Sequence, residues 1–477
     1  SLTSIVCNNR VISTVLIFLP IIYIALTGSW KYYVTYAVSS ARGLTESNKM
    51  ALMTPCMLIS MIVYFGTVLK NNLTMKKIKG GVTAPKGFAA MGLKAGIKKD
   101  KKDMAMIYSS TPCVAAGTFT TNKVFAAPVK WDKDIVANSP FAQAVVVNSK
   151  NANTCNADGE QKAEAISELA AKELGIDVNL IIPASTGVIG QILPIEPFEN
   201  NMHDLVAGLD YDKNGLAANA IMTTDTVKKE AAVSFKIGDK VCHLGGMAKG
   251  SGMIHPNMAT TLNFITTDVA ISPKLLQAAL SDIVKVTYNC LSVDGDTSTN
   301  DTVLVMANGQ AENTPITKEG EDYKTFCEAL HFIMIELSKK IAGDGEGCTC
   351  LFEATVIGAK DKNQARTIAK SVVCSSLTKA AVFGHDANWG RILCAMGYSG
   401  AQFDPEVVDI WLESKAGTIK IVENGIATDY SEETATKILS EEEVIAKMDI
   451  KEGNETATAF GCDLTYEYVK INGDYRS

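Results

Sequence analysis

Two uncharged apolar runs open the chain, at residues 11–30 and 51–69, bounded by Arg10 and Lys31 and by Lys49 and Lys70. Each has about 20 residues, enough for a helix to cross a bilayer core of about 30 Å. Arg42, Glu46 and Lys49 lie between them, so the runs read as a two-span membrane hairpin. The competing reading is an upstream stretch translated in frame, because Met75 stands as a natural start just before a different pattern begins. The length of the first run, Pro20 inside it and the lack of a small-residue cleavage site speak against a signal peptide. Basic residues are few and lie on both sides, so they fix no orientation.

From residue 75 the pattern changes to short β-branched runs alternating with helical periodicity. Strands are predicted at 142–148, 180–184, 231–237, 262–267 and 354–357. A helix is predicted over 161–174, with Ile166, Leu169, Ala170 and Leu174 on one face and Gly175 as its stop. A second opens at Ser272 and Pro273 and runs to about 287, with Ser as N-cap and Pro at the first helical position. A third covers 322–342 and stops at Gly343. Interspersed strands and helices predict a layered α/β unit. No repeat of fixed period is present.

Composition supports a globular chain. Of 477 residues, 47% are apolar and 20% charged, which excludes a disordered or collagenous protein. A formal charge of −7 without long Lys/Arg blocks argues against non-specific nucleic-acid binding. The twelve cysteines are scattered without a CxxC pair, which fits a reducing compartment better than a disulfide scaffold.

Common catalytic signatures are missing: there is no GxGxxG after a strand, no GxxxxGK[ST] and no HExxH. The five histidines are isolated, so no metal-ligand set is expected. Asp294 to Asp301 looks like a calcium loop but has Thr299 at the sixth position and Val305 at the twelfth. It reads as a turn with a side-chain hydrogen-bond network. The informative stretch runs from Gly245 to Leu262, with Gly245, Gly246, Gly250 and Gly252, then Pro256, then Ala259-Thr260-Thr261 entering a strand. Spacing alone leaves two readings: a Gly-rich loop leading into a strand, or a site where Thr becomes an amino-terminal nucleophile.

That stretch resembles the self-cleavage site of the ornithine acetyltransferases, the glutamate N-acetyltransferases of the cyclic arginine pathway. Seven further segments resemble the family in order: 81–88, 147–153, 184–190, 222–226, 344–347, 386–391 and 472–477. The resemblance runs from about Gly80 to Ser477. It implies a layered α/β sandwich with helices around two sheets. It also implies cleavage of Ala259–Thr260 into an α chain (75–259) and a β chain (260–477), two of each in the assembly, with residues 1–74 as an N-terminal extension.

The resemblance further implies transfer of an acetyl group from N-acetylornithine to glutamate through an acetyl ester on Thr260. The free α-amine of Thr260 would serve as base, since a terminal amine titrates near pH 8. Thr186 and Gly187 match the oxyanion hole. Thr223, Lys249, Thr260, Glu346, Asn472 and Ser477 match substrate-binding positions, with Thr224 and Thr226 beside Thr223 as rivals. Lys249 suits a substrate carboxylate and Glu346 the ornithine ammonium. No resident cofactor or metal is implied, acetyl-CoA is a further possible acetyl donor, and the location is cytoplasmic unless residues 1–74 form an anchor. The segment 386–391 is expected to be structural or near the site. This chain departs from the family pattern at Thr261, where Met is usual, at Lys150, where Gly is usual and a positive-φ turn is therefore in doubt, and at Cys348-Thr-Cys350. The rivals are a self-cleaving aminopeptidase and a membrane-anchored binding protein with an inert site.

Overall fold

The computed structural model describes residues 75–255 and 261–474. The two apolar runs, the Ala259–Thr260 bond and Ser477 lie outside the described residues. The chain divides at Met75/Lys76 into two units, and every strand and helix named here belongs to the second. Among the described residues no helix is long and apolar enough to cross a membrane.

The strands, in chain order, are β1 (Lys76–Ile78), β2 (Phe88–Leu93), β3 (Met104–Phe119), β4 (Phe141–Asn151), β5 (Ile181–Val188), β6 (Lys229–Ile237), β7 (Lys240–Lys249), β8 (Leu262–Thr267), β9 (Thr302–Ala307), β10 (Leu351–Ala359), β11 (Asp409–Ser414), β12 (Gly417–Glu423), β13 (Ile426–Ala427), β14 (Glu443–Asp449) and β15 (Glu455–Cys462). The α-helices are α1 (Ala127–Asn138), α2 (Gly159–Leu174), α3 (Glu196–Ala207), α4 (Asn214–Ala220), α5 (Pro273–Val286), α6 (Glu321–Ala342), α7 (Lys362–Cys374), α8 (Ser376–Phe383), α9 (Trp389–Gly397), α10 (Glu432–Leu439) and α11 (Tyr466–Gly473).

Two mixed sheets result. The first has nine strands in the order β1-β6-β7-β8-β9-β3-β4-β5, with β2 added on β3. The second has six, ordered β13-β12-β11-β14-β10-β15. An α/β class was legible in the sequence, and most of the predicted elements fall within a residue or a few of their observed bounds. β4 and β8 are buried nearly throughout, as expected of internal strands whose both faces are covered.

The long strand β3 is the corner of the first sheet. Its first half, Met104 to Tyr108, pairs with β4, and its second half, Val114 to Phe119, pairs with β9, with a register shift between Tyr108 and Cys113. Such an irregularity bends a strand and increases its twist. Four strands separate β7 from β5 in the order, so a flat sheet would hold them about 24 Å apart. Lys249 at the end of β7 nevertheless donates to Thr186 on β5 across 3.3 Å. The sheet therefore curls at this end, and the curl gathers the site.

Several expectations need correction. Ser272 occupies the N-cap position of α5, but its side chain makes no capping bond there. Gly175 closes α2 in the left-handed conformation at φ 66°, whereas Gly343 follows α6 at φ −73°. The turn after α6 instead tightens through Asp344 N–H to Ile341 and Gly345 N–H to Ala342, and this delivers Asp344 and Glu346 directly. The first part of the glycine-rich stretch is not a loop: Gly245 and Gly246 lie within β7. A side chain at 245 would meet the carbonyl of Gly81 at 1.9 Å, so close backbone approach, not positive φ, explains that glycine. Lys150 does adopt positive φ, at 88°, so the turn survives the replacement of Gly by Lys.

Candidate active site

The cavity of about 150 Å³ at the curled end of the first sheet draws on widely separated segments. β5 contributes Thr186 and Gly187, the loop before β6 contributes Thr223 and Thr224, and β7 contributes Lys249. The turn after α6 supplies Glu346, and the last helix, α11, supplies Asn472 and Tyr468. Thr261, just before β8, lines it as well. Six candidates from the sequence, Thr186, Gly187, Thr223, Lys249, Glu346 and Asn472, thus face one space.

Gly187 is required by its surroundings. It sits at φ 135° beside its β4 partner Lys150, and a Cβ there would lie 2.0 Å from the Lys150 carbonyl carbon. Backbone cannot yield that distance, so no other residue fits without moving β4. Thr186 is buried, and its hydroxyl oxygen accepts from the Lys249 ammonium. That bond leaves the Thr186 hydroxyl hydrogen available to a group in the cavity.

Lys249 is only 7% exposed. Burial lowers its pKa, and the carboxylates of Asp225 and Glu346 oppose that shift. Glu346 is held from two sides: its N–H donates to the Ser251 carbonyl at 3.0 Å, and Asn472 Nδ2 donates to its Oε2 at 2.7 Å. A side chain at Gly252 would lie 2.2 Å from the Glu346 carboxyl, so that glycine makes room for it.

Behind the cavity wall lies a group the sequence reading missed. Lys229, fully buried, places its ammonium 2.6 Å from Asp225 and 2.5 Å from Asp344. Asp225 also accepts from the N–H of Thr223 at 3.0 Å and of Gly250 at 2.7 Å. Burial alone would raise the pKa of Asp225; Lys249 and Lys229 outweigh it and hold the carboxyl well below the usual range. Asp344 accepts from Thr226, through N–H at 3.1 Å and through the hydroxyl. Thr226 is therefore spent on structure, while Thr223 and Thr224 line the cavity. No local motif marks this triad, because Lys229 and Asp344 are 115 residues apart.

Asp294 to Asp301 forms a second wall that the sequence reading treated as a turn alone. The network is there: Asp294 accepts from the N–H of Met253 and Ile254 at 2.7 and 2.8 Å. The same segment also lines the cavity through Asp294, Asp296, Ser298, Thr299, Asn300 and Asp301. Asp386 to Arg391 does not line it. Asn388 caps α9, and Arg391 reaches the Leu377 carbonyl at 2.9 Å. Cys350 is buried, and burial pushes its thiol up to about 12, the behaviour of an inert structural thiol.

A family model described as the ArgJ family matches residues 89–477. The chain belongs to the ArgJ family. This ArgJ-family chain is 50% identical over 393 residues to the arginine biosynthesis bifunctional protein ArgJ 1 of Clostridium acetobutylicum, covering 82% of this chain and 96% of that protein. It is 48% identical over 395 residues to the arginine biosynthesis bifunctional protein ArgJ of Thermotoga neapolitana, covering 82% and 99%. A crystal structure of arginine biosynthesis bifunctional protein ArgJ from Bacillus halodurans is 47% identical, with a TM-score of 0.42, covering 44% of this chain and 97% of that one.

Proposed function

We propose that this chain transfers the acetyl group of N-acetylornithine to glutamate, releasing ornithine and forming N-acetylglutamate. The observation that carries the proposal is the meeting of Thr186, Thr223, Lys249, Glu346 and Asn472 around one cavity that Thr261 also lines, in a chain of the ArgJ family. A buried ammonium and a buried carboxylate in one small space suit an amino acid with a carboxylate at one end and an ammonium at the other.

The Thr260 hydroxyl attacks the preceding carbonyl, moving the Ala259 acyl group from nitrogen to oxygen, and water then hydrolyses that ester, which cuts the chain and frees the Thr260 hydroxyl and α-amine. The new α-amine then takes the hydroxyl proton as Thr260 attacks the acetyl carbonyl, and the acetyl ester forms as ornithine leaves. Thr186 and Gly187 donate to the oxyanion of each tetrahedral intermediate. Lys249 pairs with the substrate carboxylate, Glu346 with the ornithine ammonium, and Thr223, Asn472 and Ser477 complete the pocket. Acetyl-CoA serves as a second acetyl donor to glutamate. The α (75–259) and β (260–477) chains assemble two and two in the cytoplasm, in a layered sandwich of helices around two sheets.

Intact-mass spectrometry beside Thr260→Ala tests the reading. Wild-type protein should give two fragments meeting between Ala259 and Thr260, and the variant one uncut chain. An uncut wild-type protein, or cleavage at the same bond in the variant, overturns it.

A further inference from the structure

Asp301, at the head of β9, is a buried acid with an unused oxygen. It is 1% exposed and lines the cavity. The N–H and hydroxyl of Ser298 donate to its carboxyl, but Oδ2 has no hydrogen-bond partner among the described residues. Its backbone is fixed: its carbonyl accepts from Thr120 N–H at 2.9 Å. The adjoining Thr302 N–H donates to the Thr261 carbonyl at 2.9 Å, and Thr302 pairs with Leu262 across β8 and β9. Asp301 therefore stands on the strand beside the one that Thr261 leads into.

An ionised carboxyl left partly unpaired in such a place is destabilising, and an Asn would fill the same shape without that penalty. Burial raises the pKa of Asp301 well above the carboxylic range, against Ser298 and Lys249, with Asp294 adding to the rise. That shift favours the proton-bearing form, at the wall of a cavity where the acyl-transfer reading has an amide bond broken.

We propose that Asp301 is the proton-transfer group for the amines that leave and enter. The proposal rests on the acyl-transfer reading. An amide nitrogen leaves as an amine, not as an anion, so it needs a proton as its bond to carbon breaks. As the oxyanion reforms C=O and the C–N bond breaks, nitrogen takes the Asp301 proton, leaving a carboxylate. Ornithine departs as the neutral amine and is protonated by water. Glutamate loses one ammonium proton to water and attacks the ester as the neutral amine. As its C–N bond forms, nitrogen returns one proton to the Asp301 carboxylate. The C–O bond to Thr260 then breaks, and the Thr260 oxygen recovers its proton from the α-ammonium. Protons balance over the cycle without a co-reactant.

The test compares leaving groups. p-Nitrophenolate leaves an acetyl ester without a proton, whereas ornithine cannot. Asp301→Asn should lower turnover with N-acetylornithine by about 10²–10⁴-fold, while acetylation by p-nitrophenyl acetate changes by a few fold at most. Where the Asn variant yields no folded, cut enzyme, Asp301→Glu carries the same comparison. With the acid displaced by one methylene, amide transfer should fall at least about tenfold more than the aryl ester reaction. Equal losses with both donors, or no loss with the amide, overturn the proposal. A wild-type enzyme that moves no acetyl from N-acetylornithine to glutamate removes the acyl-transfer reading instead, so the two failures are distinct.

Discussion

Replacing Lys229 with Met is the sharpest test of how the cavity is held. The change keeps the length of the side chain and removes its charge. Asp225 and Asp344, at 2.6 and 2.5 Å from the missing ammonium, are then left facing each other in a dry interior. Breaking a buried ion pair on one side costs about 3–5 kcal/mol. Unfolding entropy of about 2.1 cal/mol/K per residue over about 400 residues is about 0.8 kcal/mol/K, so 4 kcal/mol lowers Tm by about 5 °C. Scanning calorimetry of both proteins at one scan rate reads this directly. The sign of the pH dependence follows from Asp225, whose folded pKa is depressed by Lys249 and Lys229 against burial. Its stabilising contribution is complete above the unfolded value near 3.9 and is lost as pH falls through the lower folded value. Without Lys229 the depression shrinks, Asp225 takes up a proton at higher pH, and the neutral acid no longer pays for burial of charge. The Tm gap should therefore be widest near pH 7 and narrow toward pH 4. A gap below about 1 °C at pH 7 would refute a structural role for the triad, and so would a gap that widens on acidification.

Two more outcomes rest on local geometry. Gly187→Ala forces Cβ against the Lys150 backbone and displaces a proposed oxyanion donor, so kcat should fall by about 10²–10³ with KM little changed; steady-state kinetics with a matched circular dichroism spectrum checks this, and a loss under fivefold would locate the donors elsewhere. His255 is held down to about 4 by burial and by Lys370, against Asp296, so the unfolded chain binds its proton near pH 6.5 and the folded chain does not. Stability should decline as pH falls from 6.5 toward 4, and His255→Gln should flatten that decline in Tm by about 1–2 °C, because the imidazole is only partly buried.

The main sheet was readable where strands are apolar and internal. Residues 262–267 show this best: the predicted range and β8 coincide. β5 was cut short at Ala184 because Ser185, Thr186 and Gly187 look polar, yet they continue the strand into the cavity. β7 was hidden by its glycines, which are there for the approach of Gly81 and of Leu337 on α6. Much of the second sheet escaped notice because β11 to β13 are short and half-exposed. Of the residues named from a family motif, Thr186, Gly187, Thr223, Lys249, Glu346 and Asn472 line one cavity. Their supports were not legible in the sequence: Lys229 finds Asp344, and Asp294 holds Met253 and Ile254, only through the tertiary fold. A lysine next to another lysine, as Lys228-Lys229 is, reads as solvated surface until burial is known.

The order of strands in the first sheet has a consequence for the two pieces produced by a cut before Thr260. Residues before the cut supply β1 to β7, and residues after it supply β8 and β9, which lie between β7 and β3. The later piece is thus wedged into the middle of the earlier piece's sheet, hydrogen-bonded to it on both sides. Neither piece can depart without opening two internal ladders and exposing four strand edges. Exchange of pieces between molecules should accordingly be no faster than global unfolding. Once the cut chain has been denatured, its recovery becomes an encounter between two molecules and slows on dilution, where the uncut precursor refolds at a rate independent of concentration.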